Sequence, residues 1–456
     1  MVTQLGFTAQ SKQDNLVEIV NAFQAAAMAD RDIFSLPKKE PQGYAHSLFQ
    51  YPAMMVPEVQ KQIIQLIKQN DPSIKEVLDP YVGAGTSMTA SMRCGLNATG
   101  QDINPLAVLV SKAKTDLSWS EEKLLESFDN VVTLAKTDKS LVVDIDFPNM
   151  KKWFKLSVSR ELSKLRRAIQ KQSNKAIRQV LWVALAETIR LTSNDRTTTY
   201  KLHARPKEEI QIRQLSPIKI FETIARDYVV DLVDYKKTLK SEGLIENGRY
   251  IGKINILLSD TAKGINTDKK FDLIITSPPY GDNLTTITYG QHAYLPLQWI
   301  DLKDIDGKID AQILRTTQEI DRRSIGGKVA TRDEVDEKIK ELSARSTHLK
   351  HTFNLLKDKP IDRISKVIGF FDDFFAALDK IVASLSSNGY MVWTVGNRRV
   401  NNIEIPNDKI LIDVLKSHNV KLAVKKTRVI HNKRMPQKNQ ISQMMHSEKI
   451  LVFRKD

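Results

Sequence analysis

Four consecutive residues, Ser277-Pro278-Pro279-Tyr280, carry the most distinctive chemistry in this sequence. Proline has no amide hydrogen and a fixed φ, so two in succession hold an extended turn whose carbonyl oxygens point outward. The Ser277 hydroxyl and the Pro278 carbonyl can accept hydrogen bonds from an exocyclic amine, and the Tyr280 ring can stack on the planar group that bears it. A strand that merely ends in a proline turn would show the same four residues.

The residues before this motif predict a buried parallel strand, because residues 271–275 form a short apolar run with β-branched side chains. A second strand-to-helix transition lies at residues 79–86, DPYVGAGT. Its glycines, Gly83 and Gly85, would let the backbone turn sharply and approach a ligand beside the free amides of the helix start. Nucleotide-binding α/β sheets use such turns, but this one lacks the G-x-G-x-x-G spacing of dinucleotide folds.

An acidic residue ends the next predicted strand, about 20 residues beyond the glycine turn. Asp102 at that position is expected to accept hydrogen bonds from ribose hydroxyls. It is also suited to cap the helix predicted over residues 105–114, and the two roles are compatible.

The two motifs are expected to meet in one place. In an open parallel sheet, ligands bind beyond the carboxyl ends of the strands, at the point where the winding reverses. The first and fourth predicted strands flank that point and end in the glycine turn and in the Ser277 motif. Two separate stretches of sequence therefore predict a single crevice.

The Ser-Pro-Pro-Tyr block resembles the catalytic motif of S-adenosylmethionine-dependent DNA methyltransferases that modify exocyclic amines, and DPYVGAGT resembles their cofactor motif. The resemblance implies an α/β fold of the class I methyltransferase (Rossmann-like) type, with a seven-stranded mixed sheet and a helical insertion. It further implies S-adenosyl-L-methionine as cofactor, double-stranded DNA as substrate, a flipped target base and a cognate restriction endonuclease as partner. The residues that it assigns to catalysis are Ser277, Pro278, Pro279 and Tyr280.

The same resemblance assigns residues to the cofactor. The glycine turn would cradle its amino-acid end, with Asp79 facing the ammonium group. Asp260, after the third strand, would accept a hydrogen bond from the adenine amine, and residues 51–52 would cover the methionine end. The full cofactor-binding set is Tyr51, Pro52, Asp79, Tyr81, Gly83, Gly85, Thr86, Asp102 and Asp260.

The target base is expected to be cytosine, modified at N4, because the resembled enzymes associate serine at the first motif position with cytosine and aspartate with adenine N6. Adenine N6 is the alternative. A cytosine-C5 enzyme would need a nucleophilic cysteine, usually after proline, whereas Cys94 follows Arg93 in a predicted helix. An RNA guanine-N2 methyltransferase and a non-catalytic DNA-binding subunit are further interpretations of the same motifs.

The charge of the chain favours a polyanionic partner. It carries 69 Lys and Arg against 54 Asp and Glu, a formal net charge of +15, which is typical of nucleic-acid-binding proteins. The single cysteine excludes an internal disulfide and a cysteine-rich zinc site, and we assign no metal ligands. The sequence shows no signal peptide and no membrane span, so a cytoplasmic protein without a membrane partner is expected.

Residues 151–213 contain sixteen Lys or Arg but only five Asp or Glu, with aromatic residues interleaved. This composition suits phosphate contacts and base stacking, although a solvated basic face would show it too. Residues 193–203 are rich in hydroxyl groups, like loops that contact backbone phosphates. The residues assigned to DNA contact are Arg196, Lys201, Arg205 and Arg434.

Five segments follow from these patterns. Residues 1–114 hold the N-terminal segment and the cofactor motifs, and residues 115–250 form a helical basic insertion, the candidate target-recognition region. Residues 251–300 are the catalytic part of the methyltransferase domain. Residues 301–365 are a charged second insertion, expected to be mobile and to order on DNA. Residues 366–456 complete the methyltransferase domain.

Overall fold

A seven-stranded sheet is the centre of the computed structural model, which describes residues 2–35, 43–430 and 446–456, with side chains from residue 15 onward. The strands are β1 (Glu76–Asp79), β2 (Asn97–Asp102), β3 (Ile245–Glu246), β4 (Arg249–Tyr250), β5 (Ile254–Leu258), β6 (Phe271–Thr276), β7 (Leu385–Val395), β8 (Arg398–Val400), β9 (Ile403–Ile405), β10 (Val420–Val429) and β11 (Ser447–Lys455). The order in the large sheet is β10-β11-β7-β6-β1-β2-β5, while β3 with β4 and β8 with β9 form separate hairpins.

Five strands of the large sheet, β5, β2, β1, β6 and β7, are parallel, whereas β11 and β10 are antiparallel. The predicted class I methyltransferase fold with a seven-stranded mixed sheet is therefore confirmed. Its winding reverses between β1 and β6, where Val77 pairs with Leu273. The carboxyl ends of these two strands consequently lie side by side, as the positions of the two motifs predicted.

Seventeen α-helices occur in the described ranges. They are α1 (Val2–Ala29), α2 (Pro57–Asn70), α3 (Thr86–Met92), α4 (Pro105–Thr115), α5 (Glu121–Thr137), α6 (Met150–Trp153), α7 (Leu156–Gln170), α8 (Lys175–Thr192), α9 (Lys207–Ile212), α10 (Pro217–Ser241), α11 (Tyr289–Trp299), α12 (Leu302–Ile305), α13 (Glu319–Arg323), α14 (Val335–Arg345), α15 (Thr347–Leu356), α16 (Ile361–Ser384) and α17 (Asn407–Ser417). Short 3₁₀ turns occupy Thr261–Lys263, Ala311–Leu314 and Arg332–Glu334. None of the helices in this part of the chain has both the length and the hydrophobicity to cross a bilayer.

Neighbouring residues of the central strands pack into two different cores. Val77 belongs to the core on one face of the sheet and Leu78 to the core on the other, since side chains alternate along a strand. The first core includes the helices of residues 115–250, which the sequence predicted to be helical. The second core is formed mainly by α14 to α17.

The second insertion is folded onto this second core. Val335 and Leu342 of α14 and Phe353 of α15 are buried in one cluster with Ile274 of β6. The prediction of a mobile segment at residues 301–365 is therefore wrong for these helices. Their charged residues occupy the outer faces, while apolar residues at helical spacing face the core.

Helix α4 is capped by Asn104 and not by Asp102. The Asn104 side chain caps this helix by accepting a hydrogen bond from the Leu106 amide at 3.1 Å. Asp102 instead accepts from the Asn104 amide at 2.8 Å, so the capping role suggested for Asp102 belongs to Asn104.

Candidate active site

A pocket lies beyond the carboxyl ends of the central parallel strands, with about 860 Å³ of empty space when the part open to solvent is counted. The residues predicted from sequence that line it are Tyr51, Pro52, Tyr81, Gly83, Thr86, Asp102, Asp260, Ser277 and Pro279. The glycine turn and the Ser277 motif thus share one cavity.

The glycine turn is held from two sides. Asp102 accepts a hydrogen bond from the Gly83 amide at 3.0 Å, and the Ser111 hydroxyl donates to the Gly83 carbonyl at 3.0 Å. Both glycines have positive φ, 49° at Gly83 and 75° at Gly85. A Cβ on Gly85 would lie 3.0 Å from Ser111 Oγ. Gly85 therefore allows close packing against α4. The sequence predicted that it binds the cofactor, but it does not line the pocket.

The carboxylate of Asp79 is fully buried and does not line the pocket. It accepts hydrogen bonds from the Ser87 hydroxyl, from Thr276 Oγ1 at 2.6 Å and from the Tyr81 amide at 3.0 Å. Burial outweighs these bonds and raises the pKa of Asp79 to about 6. The expectation that Asp79 faces a ligand ammonium is not met, because its carboxylate is buried outside the pocket lining, where it joins β1 to α3 and β6.

Two other carboxylates remain available on the pocket wall. Asp102 uses its oxygens for the amides of Gly83 and Asn104, and burial raises its pKa to about 6. Each carboxylate oxygen has a further lone pair for a ligand. Asp260 is half-buried and accepts from the Ala262 amide at 3.0 Å, which starts a 3₁₀ turn.

An aromatic wall stands beside the glycine turn. The rings of Tyr51 and Tyr289 stack with centroids 5.7 Å apart, and the Tyr51 hydroxyl accepts from the Asn104 side chain at 3.0 Å. A Cβ on Gly83 would lie 3.6 Å from the Tyr51 ring. Tyr289 was missed in the sequence, although it ends the polar loop that follows the Ser277 motif.

The Ser277 motif is hydrogen-bonded to the antiparallel part of the sheet. Ser277 Oγ lies 3.1 Å from Tyr280 Oη, which donates to Glu448 Oε1 at 2.9 Å. Arg428 in turn donates to Glu448 Oε2 at 2.7 Å. Pro278 and Tyr280 adjoin the pocket without lining it. No local sequence signal pointed to Glu448, because it lies far along the chain on β11.

Further pocket residues come from segments that the sequence analysis did not assign to the site. Ser324 and Ile325 reach it from the second insertion, and Asn283 from the loop after the Ser277 motif. Two buried polar atoms of the wall, Tyr81 Oη and Asn283 Oδ1, have no hydrogen-bond partner among the described residues. Buried polar groups are normally paired, so these two atoms are available to hydrogen-bond a ligand in the pocket.

The residues assigned to DNA contact separate into two kinds. Arg196 and Lys201 are exposed on the loop at residues 193–205. Arg205 is committed to that loop, because it donates to the Asp195 carbonyl at 3.0 Å and pairs with Glu209. Its assignment to phosphate contact is therefore replaced by a structural role. Arg434 lies outside the described residues.

The same loop lies next to the pocket. Thr288 donates to the Tyr200 carbonyl at 2.9 Å, and the Leu202 amide donates to the Gln291 side chain at 3.2 Å. These contacts fix the loop to the start of α11, next to the pocket residue Tyr289. By contrast, Trp153, Phe154 and Trp182 are buried in the core, so the expectation of base stacking is wrong for these three aromatic residues.

The comparisons with known proteins give a consistent family. The chain is 33% identical over 405 residues to the type II methyltransferase M.MvaI of Kocuria varians, an alignment that covers 86% of each protein. It is 26% identical over 137 residues to the type II methyltransferase M.MjaII of Methanocaldococcus jannaschii, covering 28% of this chain and 25% of that relative. No protein-family model matches the chain. At 33% identity over most of both chains, and with a class I methyltransferase fold, the protein belongs to the type II methyltransferases, the DNA methyltransferases of restriction–modification systems.

Proposed function

We propose that the protein transfers a methyl group from S-adenosyl-L-methionine to N4 of a flipped cytosine at a specific site in double-stranded DNA. The observation that carries the proposal is the meeting of the glycine turn and the Ser277 motif in one pocket, at the reversal of the sheet winding. Serine at the first motif position favours cytosine over adenine N6, which is the second candidate.

The pocket residues fit the cofactor. Asp102 stands at the strand end where a ribose acceptor is needed, and Asp260 offers an acceptor for an adenine amine. The unpaired Tyr81 hydroxyl and Asn283 carbonyl provide further polar partners. Held by these residues, the cofactor would supply an electrophilic methyl group for transfer to the amine, with S-adenosylhomocysteine as the leaving group and one amine proton released.

The Ser277 motif is suited to hold the amine. Because the Tyr280 hydroxyl donates to Glu448, its oxygen can accept the Ser277 proton, and the lone pairs of Ser277 then remain for the amine. The Pro278 carbonyl supplies a second acceptor. Two fixed acceptors would align the amine with the methyl group and stabilise the positive charge that develops on nitrogen.

Access to the base requires its removal from the helix. Flipping costs a few kcal/mol, whereas stacking on an aromatic ring contributes about 1–3 kcal/mol per base. We assign that stacking to Tyr280. The exposed Arg196 and Lys201, on the loop fixed beside Tyr289, would contact the phosphates of the opened duplex.

The test is the identity of the product. Genomic DNA is incubated with the protein and cofactor labelled in the methyl group, digested, and the modified nucleoside is identified by mass spectrometry. N4-methylcytosine is expected, with no product from the Ser277→Ala variant. N6-methyladenine would overturn the base assignment and keep the enzyme class, and label in RNA guanine alone would overturn the DNA assignment. A cognate endonuclease is part of the proposal, and resistance of methylated DNA to cleavage by it would test that partner.

A further inference from the structure

A buried acceptor on the pocket wall lacks a partner within the described chain. Asn283 is 3% exposed, and its Oδ1 atom is shielded from solvent without a hydrogen bond from any described residue. The residue lines the same pocket as Ser277 and Gly83. A buried acceptor without a donor is destabilising, so the pocket is expected to receive a ligand that donates to this atom.

Asp321 determines which end of the Asn283 amide faces the ligand. Its carboxylate is fully buried and accepts from the amides of Gly290 and Gln291 at 2.8 and 3.1 Å. It is also a side-chain hydrogen-bond partner of Asn283. Because a carboxylate only accepts, Asn283 must turn its NH₂ group toward Asp321 and its carbonyl away.

The close approach of Asp321 depends on a glycine. A Cβ on Gly290 would lie 2.8 Å from the Asp321 amide nitrogen and 2.9 Å from its carboxyl carbon. The preceding residue is Tyr289, whose ring stacks on Tyr51 beside Gly83. Asn283 and its partner are thus fixed to the side of the pocket where the glycine turn lies.

The ammonium group of the cofactor has no assigned acceptor on the side of the pocket where the glycine turn lies. Asp79, predicted from sequence to face the ammonium group, is fully buried and does not line the pocket. The Asn283 carbonyl is unpaired and has a buried carboxylate behind its amide. This arrangement favours a cationic donor over a neutral hydroxyl, because hydrogen bonds that involve a charged group are the stronger ones.

We propose that the side-chain carbonyl of Asn283 accepts a hydrogen bond from the α-ammonium group of S-adenosylmethionine, and that Asp321 is the positioning residue that turns it toward the ligand. This inference rests on the proposed cofactor and goes beyond it by naming the residue that recognises its amino group.

The experiment measures binding by calorimetry with two probes. The first is S-adenosylhomocysteine, and the second is its desamino analogue, which keeps the adenosine and the carboxylate. Wild-type protein is expected to bind the first about 10- to 100-fold more tightly, the effect of one buried hydrogen bond to a charged group. In Asn283→Leu this preference is expected to fall below about 3-fold, because the loss is confined to the probe that carries the amine.

Controls separate this role from a structural one. Asn255→Leu makes the same change at an exposed position on the edge strand β5 and is expected to keep the wild-type preference. Asp321→Asn, which no longer forces the orientation of the amide, is expected to reduce the preference partially. Thermal unfolding of each variant checks that it is folded.

Three outcomes would overturn the inference. Equal weakening of both probes in Asn283→Leu would show a general effect on the pocket, and an unchanged preference would assign the ammonium group to another residue. If Asn283→Leu does not fold, the inference is tested on the wild-type protein. Equal wild-type affinity for the two probes would then overturn it, because no acceptor would recognise the amine. Failure of the wild-type protein to bind S-adenosylhomocysteine would instead overturn the proposed function.

Discussion

The hydroxyl of Tyr280 donates a hydrogen bond to Glu448 Oε1 at 2.9 Å, joining the Ser277 motif on the parallel side of the sheet to the last antiparallel strand. Glu448 is itself fixed by Arg428 of β10. Tyr280 therefore has two features to separate by experiment, a ring that can stack on a base and a hydroxyl that orients Ser277.

Tyr280→Phe keeps the ring and removes the hydroxyl. We expect kcat for methyl transfer to fall about 10- to 100-fold, because Ser277 loses the partner that orients its proton. KM for DNA and affinity for S-adenosylhomocysteine should stay near wild type. Tyr44→Phe is the matched control, since the Tyr44 hydroxyl also donates to a glutamate, Glu58, but outside the pocket. Equal loss in both variants would show that the Tyr280 hydroxyl matters only for stability.

Ser277→Ala removes an acceptor for the amine. We expect kcat to fall about 100-fold or more, as for loss of one oriented polar group at a reacting centre. Affinity for S-adenosylhomocysteine, measured by calorimetry, should change little because the glycine turn is untouched. A parallel loss of cofactor affinity would mean that the serine supports the pocket and does not act on the base.

Asp102→Ala should weaken cofactor binding, whereas Gly85→Ala should lower the stability of the fold. Removal of the Asp102 carboxylate leaves ribose hydroxyls unpaired, so S-adenosylhomocysteine should bind about 10- to 100-fold more weakly. A Cβ at Gly85, with φ of 75° and Ser111 at 3.0 Å, should instead lower the free energy of unfolding by about 1–3 kcal/mol. Denaturation and calorimetry on both variants check the contrast, and unchanged affinity in Asp102→Ala would remove the ribose assignment.

The buried Asp79 should make stability depend on pH. Its folded-state pKa is raised from 3.8 to about 6, so the folded protein takes up a proton that the unfolded chain has already lost. The stabilisation is complete below about pH 4 and is lost as the pH rises through about 6. The shift corresponds to about 3 kcal/mol. Asp79→Asn should show a smaller fall in unfolding free energy between pH 4 and 7 than wild type, and parallel curves would contradict this origin.

Phosphate contacts should appear in the salt dependence of DNA binding. Arg196→Ala and Lys201→Ala should each reduce the slope of log affinity against log salt by about 0.9, with similar losses on cognate and scrambled duplexes. Arg205→Ala should behave differently, because that side chain holds the loop, and its effect should include lower thermal stability. Wild-type slopes in the first two variants would move DNA contact to another surface.

The sheet and its crevice were predictable because their signals are local. Apolar runs gave the strands, and the glycine turn and the paired prolines marked the strand ends on either side of the reversal. What joins these motifs was not predictable. Asp79 has a type and position that suit a ligand, and only the packing of Ser87 and Thr276 around it shows where its oxygens point.

Charge patterns were less informative than apolar ones. Residues 301–365 resembled a mobile segment by composition, yet Val335, Leu342 and Phe353 have the helical spacing that buries them. Aromatic residues in the basic insertion likewise resembled stacking groups, but Trp182 is entirely buried. In both segments most residues are charged or polar, so the composition did not reveal the few apolar residues that are buried in the core.

The bonds of Asp79 to α3 and to the end of β6 have a mechanical consequence. They join the strand that leads to the glycine turn to the strand that leads to Ser277. The side chains of Asp79, Ser87 and Thr276 are all fully buried. Methyl donor and methyl acceptor should therefore keep a constant separation through the catalytic cycle. We expect the protein to adapt to DNA outside this pair of bonded strands, which keep the geometry of the reaction unchanged.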